Sequence, residues 1–198
     1  MSAPFFFMLL LLAYLIGAIP CGLLLTRFSG GGDIRDAGSG NIGATNVYRV
    51  AGKKLGLLTL LGDALKGAIP VAFAKFGLLL PTWGIAAVAV AAFLGHCFPV
   101  YLRFKGGKGV ATALGIYLIL SPLAVLIAFL VFAGILYKTR FVSLGSIAAA
   151  ALLPFLILLI NHSNELLAPA LVISILVILR HSANIRRLLD GTENRFQA

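Results

Sequence analysis

Long apolar stretches separated by short polar segments run the length of this chain. They fall at about 5–26, 54–76, 82–102, 110–120, 123–137, 142–160 and 166–182. A helix needs roughly 20 residues to cross the hydrocarbon layer of a bilayer, so each run is a candidate span, and the fourth and fifth are short for the task. Residues 110–137 admit two readings: one span kinked at Ser121-Pro122, or two shallow spans joined by a tight turn. The string Gly-Ala-Ile-Pro occurs at 17–20 and again at 67–70, without matching flanks. It predicts similar kinks rather than an internal repeat.

Basic residues choose between the two readings. Arg27 to Lys54, Arg103 to Lys108, Lys138 to Arg140 and Arg180 to Arg195 hold most of the Lys and Arg, while the loops near Leu80-Pro81-Thr82, Ser121-Pro122 and Asn161 to Glu165 hold none. Seven spans with the N-terminus outside bring all four basic loops to the cytoplasmic face, as the positive-inside rule requires; six would divide them. The chain is therefore expected to be an all-α integral membrane protein of seven transmembrane helices, the fourth and fifth short, with its C-terminus cytoplasmic. No Lys or Arg precedes the first apolar run, so residues 5–25 are expected to be a retained span rather than a cleaved leader.

Composition agrees with this. The 198 residues are 61% hydrophobic and only 11% charged, and the mean hydropathy is +1.06. A soluble domain needs far more polar surface, and one membrane-embedded domain over 1–198 is expected. The net charge of +10 sits in short loops with no aromatic platform beside it, so it suits anionic lipid and argues against nucleic acid as a partner. Cys21 and Cys97 lie in apolar segments and form neither a disulfide framework nor a metal cluster. Asp63 and Lys66, three apart within the second run, share a helix face and can neutralise each other. Either they pair structurally or they meet a substrate.

Three polar segments carry the candidate chemistry. The first is SGNIGATNVYR, where Ser39, Asn41, Thr45 and Asn46 can hydrogen-bond a phosphate ester and Arg49 can clamp it. Residues 38–43 also fit G-x-G-x-x-G, but no strand precedes them and Asp63 lies in a span, so dinucleotide binding is not expected. The second is KGGKGVATALG. Gly106, Gly107 and Gly109 around Lys108, entering a short helix, suit an anion held by backbone N–H groups with a lysine beside it. The third closes the last span, where His181 and Asn184 lie three apart on one helix face and the segment Gly191-Thr192-Glu193-Asn194 follows. His96 is either an anion ligand or a buried histidine, and Ser143 and Ser146 open the sixth span. There is no G-x-S-x-G elbow, and no histidine is followed five positions later by aspartate. No residues have metal-ligand spacing, so no metal and no cofactor is expected.

Together, in this order and over the whole chain, SGNIGATNVYR, KGGKGVATALG and HSANIRRLLDGTEN resemble the bacterial acyl-phosphate:glycerol-3-phosphate acyltransferases, the PlsY family. The resemblance implies transfer of a fatty acyl group from a long-chain acyl phosphate to the 1-hydroxyl of glycerol 3-phosphate. The products would be lysophosphatidic acid and inorganic phosphate, made by direct attack, without an acyl-enzyme, at the cytoplasmic face of the bacterial inner membrane. On that reading Ser39, Asn41, Thr45, Asn46 and Arg49 hold glycerol 3-phosphate. Gly106, Gly107, Lys108 and Gly109, with His96 and Ser146, hold the acyl phosphate, and Lys108, His181 and Asn184 act in catalysis. The chain is expected to work as a monomer. The competing class is a transporter or exchanger of small phosphorylated anions.

Overall fold

The computed structural model describes residues 2–196, all helix, turn and loop, with no strand among them. The chain divides into two compact units, 1–119 and 120–198.

In the first unit, α1 (Ala3–Gly17) and α2 (Cys21–Phe28) are the two halves of the first apolar run. They meet at 44°, because Pro20 has no N–H to continue the helix from α1. Helices α3 (Ala44–Ala51) and α4 (Lys53–Ala72) follow a glycine-rich loop. The second Gly-Ala-Ile-Pro behaves differently from the first: Pro70 stays within α4, and the helix widens into a π-turn at Phe73–Gly77. Then come α5 (Thr82–Cys97) and α6 (Val110–Leu120).

Glycine lets these helices touch backbone to backbone, the usual device where lipid offers no hydrophobic drive. A Cβ on Gly17 would run into the Ala92 carbonyl, and one on Gly95 into that of Tyr14, which is how α1 lies against α5. Gly67 and Gly115 do the same for α4 and α6, against the Thr112 and Ala64 carbonyls. Two lysines cap broken helices. Lys66 Nζ donates to the Ile19 carbonyl at the α1–α2 break (2.7 Å), and Lys75 Nζ donates to Ile119 near the end of α6 (2.8 Å).

The second unit holds α7 (Pro122–Thr139), α8 (Val142–Asn161), α9 (Asn164–Arg180) and α10 (Ser182–Leu189), with α8 packed between α7 and α9. Residues 110–137 thus hold two helices, broken at Ser121. The expectation of a short fifth span is corrected: α7 runs 18 residues, because Pro122 is accommodated in its first turn and Lys138 and Thr139 extend its other end. Of the helices from the fourth and fifth runs, α6 alone is short, at 11 residues. Among the described residues, four helical segments are long and apolar enough to cross a membrane alone, and six are if each bent pair counts as one.

Gly115→Val should force α4 and α6 apart, because the added carbons have only the Ala64 backbone to occupy. Overpacking of this kind costs about 1–3 kcal/mol, and a fall in the melting temperature of the detergent-solubilised protein checks it.

Candidate active site

The loop between α2 and α3 is built around one asparagine. Asn46, almost fully buried, turns its Nδ2 amide to the carbonyls of Asn41 (2.9 Å), Ala37 (3.0 Å) and Ile34 (3.3 Å). Its Oδ1 accepts from the Ser39 N–H (2.8 Å). Asn41 Oδ1 accepts from the Gly43 N–H (2.9 Å) ahead of α3. Beneath the loop, Leu23, Ile34, Ile42, Val47 and Leu102 form an apolar core. The result is a rigid frame that carries Ser39 and Arg49 on its exposed side and Thr45 half-buried. Asn46, expected as a phosphate ligand, has its amide engaged by the loop itself, so it shapes the segment instead. Two of the neighbouring cations are also engaged: Arg35 and Arg27 both pair with Asp33 (2.6 and 2.7 Å). The hydrogen bonds from Arg35 chiefly hold the Asp33 carboxyl well below the usual carboxylate range.

The Lys105–Gly109 segment departs from the expected anion loop. Gly106 and Gly107 turn their N–H groups toward the end of α5, onto the carbonyls of Cys97 and His96 (both 3.2 Å). These N–H groups therefore close a helix end and do not ring a phosphate. Close approach demands glycine here, since a Cβ on Gly106 would strike the His96 carbonyl and one on Gly107 the His96 ring. Gly109, at φ +83°, turns the chain into α6. The Ala113 N–H bonds back to the Gly109 carbonyl (2.8 Å), so Gly109 to Thr112 present the N–H groups that a helix start leaves without intrahelical carbonyls. Lys108 stands beside them, half-buried. His96 lies beneath the segment, 3% exposed. Its Nδ1 meets the Thr112 hydroxyl (2.9 Å).

In the second unit His181 ends α9 and precedes α10, and the two helices bend there by 54°. His181 and Asn184 therefore do not share one unbroken helix face as expected, although both are buried. His181 Nδ1 donates to the Val177 carbonyl (2.7 Å), which leaves Nε2 to carry the lone pair of the neutral ring. Glu193 gathers this region: Oε1 accepts from Asn184 Nδ2 and Ser143 Oγ, and Oε2 from Arg187 Nε, each at 2.7 Å. Burial pushes the Glu193 carboxyl upward, but these three donors outweigh it and hold it below its ordinary value. The tail continues to Phe196, whose N–H bonds to the Arg140 carbonyl (2.7 Å), and Arg195 lies over the Phe141 ring. Ser146, expected near the acyl phosphate, donates to its own helix at the Val142 carbonyl (2.9 Å). Sequence reading missed the roles of Thr112 and Ser143.

Membrane-length helices, glycine-mediated packing and two rigid polar segments bearing Arg49 and Lys108 define a membrane-embedded helical protein suited to anionic ligands. Residues 7–191 match the profile of the glycerol-3-phosphate acyltransferase family, and the chain belongs to that family. It is 64% identical to the glycerol-3-phosphate acyltransferase of Syntrophotalea carbinolica, over 98% of each chain. With that of Geobacter sulfurreducens it shares 57% identity, over 94% of this chain and 95% of the other. Among solved structures it is similar to PlsY (YgiH), an integral membrane glycerol 3-phosphate acyltransferase, in its glycerol 3-phosphate form. The TM-score is 0.92 at 43% identity, over 97% of this chain and 96% of that one. The lysophosphatidic acid form of PlsY gives 0.90 at 42% identity, over 97% and 95%.

The depressed Glu193 carboxyl sets the sign of a pH effect. Its contribution to stability is complete above the ordinary glutamate value near about 4.3 and is lost as pH falls through the lower folded value. Glu193→Gln should cost about 1–2 kcal/mol, or about 2–8 °C of melting temperature, at neutral pH. The difference from the parent protein should vanish at the acid end of a thermal-melt series.

Proposed function

We propose that this chain transfers a fatty acyl group from acyl phosphate to the 1-hydroxyl of glycerol 3-phosphate. Lysophosphatidic acid and inorganic phosphate are released, and residues 1–198 act as one acyltransferase domain. The observation that carries this reading is the 97% coverage and 0.92 TM-score with PlsY in its glycerol 3-phosphate form. Two separate cationic, glycine-rich segments fit it, since both substrates carry phosphate.

In this scheme Ser39, Asn41, Thr45 and Arg49 hold the acceptor phosphate on the frame that Asn46 builds. Lys108 and the first turn of α6 hold the acyl phosphate, a mixed anhydride with a good leaving group. Attack by the 1-hydroxyl forms the new ester bond and breaks the acyl–phosphate bond, and the phosphate leaves with both bonding electrons. Orientation of the two substrates can supply roughly 7–11 kcal/mol, and oriented donors on the developing oxyanion about 3–4 kcal/mol. Asn184 orients the attacking hydroxyl. His181 receives its proton at Nε2, the nitrogen opposite the one bound to Val177. The site faces the cytoplasm of a bacterial inner membrane, the protein works as a monomer, and seven crossings include α6 as a thin span.

Purified protein given palmitoyl phosphate should release phosphate only when glycerol 3-phosphate is present, with lysophosphatidic acid formed in equal amount and no turnover of acyl-CoA. Release without acceptor would make it a hydrolase. No turnover, with flux of phosphorylated anions into liposomes, would make it a transporter. His181→Ala should cost about 10²–10⁴-fold in turnover, as removal of a general base does; a loss under about tenfold would exclude that role.

Topology is open to a separate check. In a cysteine-free background, Gly31→Cys and Gly191→Cys should react with an impermeant thiol reagent from one side of the membrane, and His162→Cys from the other.

A further inference from the structure

Four polar side chains are buried together in the first unit: Asp63, Lys66, His96 and Thr112 are 2%, 5%, 3% and 0% exposed. The Thr112 hydroxyl has a single proton and lies 2.9 Å from the Asp63 carbonyl, an oxygen that can only accept. The hydroxyl therefore donates there, and its oxygen takes the proton of His96 Nδ1 at 2.9 Å. The same stretch of α4 is anchored from below. The Asp63 carboxylate pairs with Lys66 Nζ at 2.7 Å, and that ammonium also holds the Ile19 carbonyl at the α1–α2 break. The imidazole, so fixed at Nδ1, turns its Nε2 edge to the glycine segment, where a Cβ on Gly107 would collide with Nε2. Its own residue's carbonyl receives the Gly107 N–H.

We infer that His96, oriented by Thr112, is the positioning residue of the Lys105–Gly109 segment. Through its ring and main chain it holds that backbone against the end of α5, so that Lys108 and the first turn of α6 face the substrate. The inference rests on the proposed role of that segment in holding a phosphate. It assigns His96 to the frame and away from the ligands.

Thr112→Val keeps the shape of the side chain and removes the hydroxyl, and His96→Leu removes the donor. Thr112→Ser and His96→Asn keep a hydroxyl and an N–H in nearly the same places. Two readouts on the full chain in detergent test the idea. The first is deuterium exchange of the peptide carrying Gly106 and Gly107, measured without substrate. Exchange should quicken by about tenfold in Thr112→Val and His96→Leu, as the amides lose their hold on α5. In Thr112→Ser and His96→Asn it should stay within about twofold of the parent.

The second is the KM of each phosphate substrate. The first pair should raise, by about tenfold, the KM of whichever substrate Lys108→Gln weakens, and leave the other within about twofold. Unchanged exchange in the first pair, equal rises in both KM values, or a His96→Asn protein as impaired as His96→Leu would each overturn the inference. If the parent protein does not turn over acyl phosphate, the proposed function fails, and the exchange readout still decides the role of His96.

Discussion

A helix that ends in an apolar setting leaves carbonyls that must find donors, and the way α5 meets that demand organises the first unit. Each unsatisfied carbonyl would cost several kcal/mol in such surroundings (about 1–3 in ordinary protein interiors). Gly106 and Gly107 supply N–H groups to Cys97 and His96, and the Tyr14 hydroxyl supplies a third donor, to Phe98 (2.7 Å). Only glycine can bring its backbone so near, given the collisions a Cβ would meet at both positions. Because the segment is committed to α5, the chain can turn at Gly109 and open α6 just after Lys108. The end of one helix thereby sets the start of the next.

The same demand recurs wherever a span is interrupted, and ionisable side chains answer it. Lys66 takes the Ile19 carbonyl where Pro20 breaks the first span. Lys75 takes Ile119 where α6 stops short. His181 takes Val177 where α9 bends into α10. Non-helical backbone is tolerated at membrane depth only where neighbours satisfy its polar groups. The three breaks are thus stabilised by residues that, read along the sequence, look like candidates for substrate contact.

That ambiguity explains what the sequence could and could not disclose. The apolar runs located the long helices and α6, because lipid imposes length on the whole pattern. The length of α7 was underestimated, since hydropathy ends at Tyr137 while the helix continues through Lys138 and Thr139. Within the polar segments, residue type announced that chemistry was present but not which side chains performed it. Asn46 and Ser39 look equivalent in sequence, yet the first is buried by four loop contacts and the second stands exposed. The bend at His181 was likewise hidden, because no proline or glycine marks it.

For the proposed transfer, this division of labour follows from the chemistry of the donor. An acyl phosphate already carries its leaving group, so the protein has less need of a covalent nucleophile than of substrates held at fixed angles and distances. Holding a substrate rigidly requires that its holders be rigid, and loops at a membrane surface are ordinarily the most mobile parts of a fold. Buried organisers offset that tendency: Asn46 under the first segment, the end of α5 under the second, Glu193 under the tail. Each makes three or more hydrogen bonds to its own neighbourhood or seals a helix end, so that cations such as Arg49 and Lys108 can be presented from backbone tied down by those bonds. Four of the 16 Lys and Arg side chains are moreover committed to carboxylates. Two arginines neutralise Asp33, one neutralises Glu193, and one lysine neutralises Asp63. In this chain the density of polar residues measures the cost of rigidity more than the number of ligands.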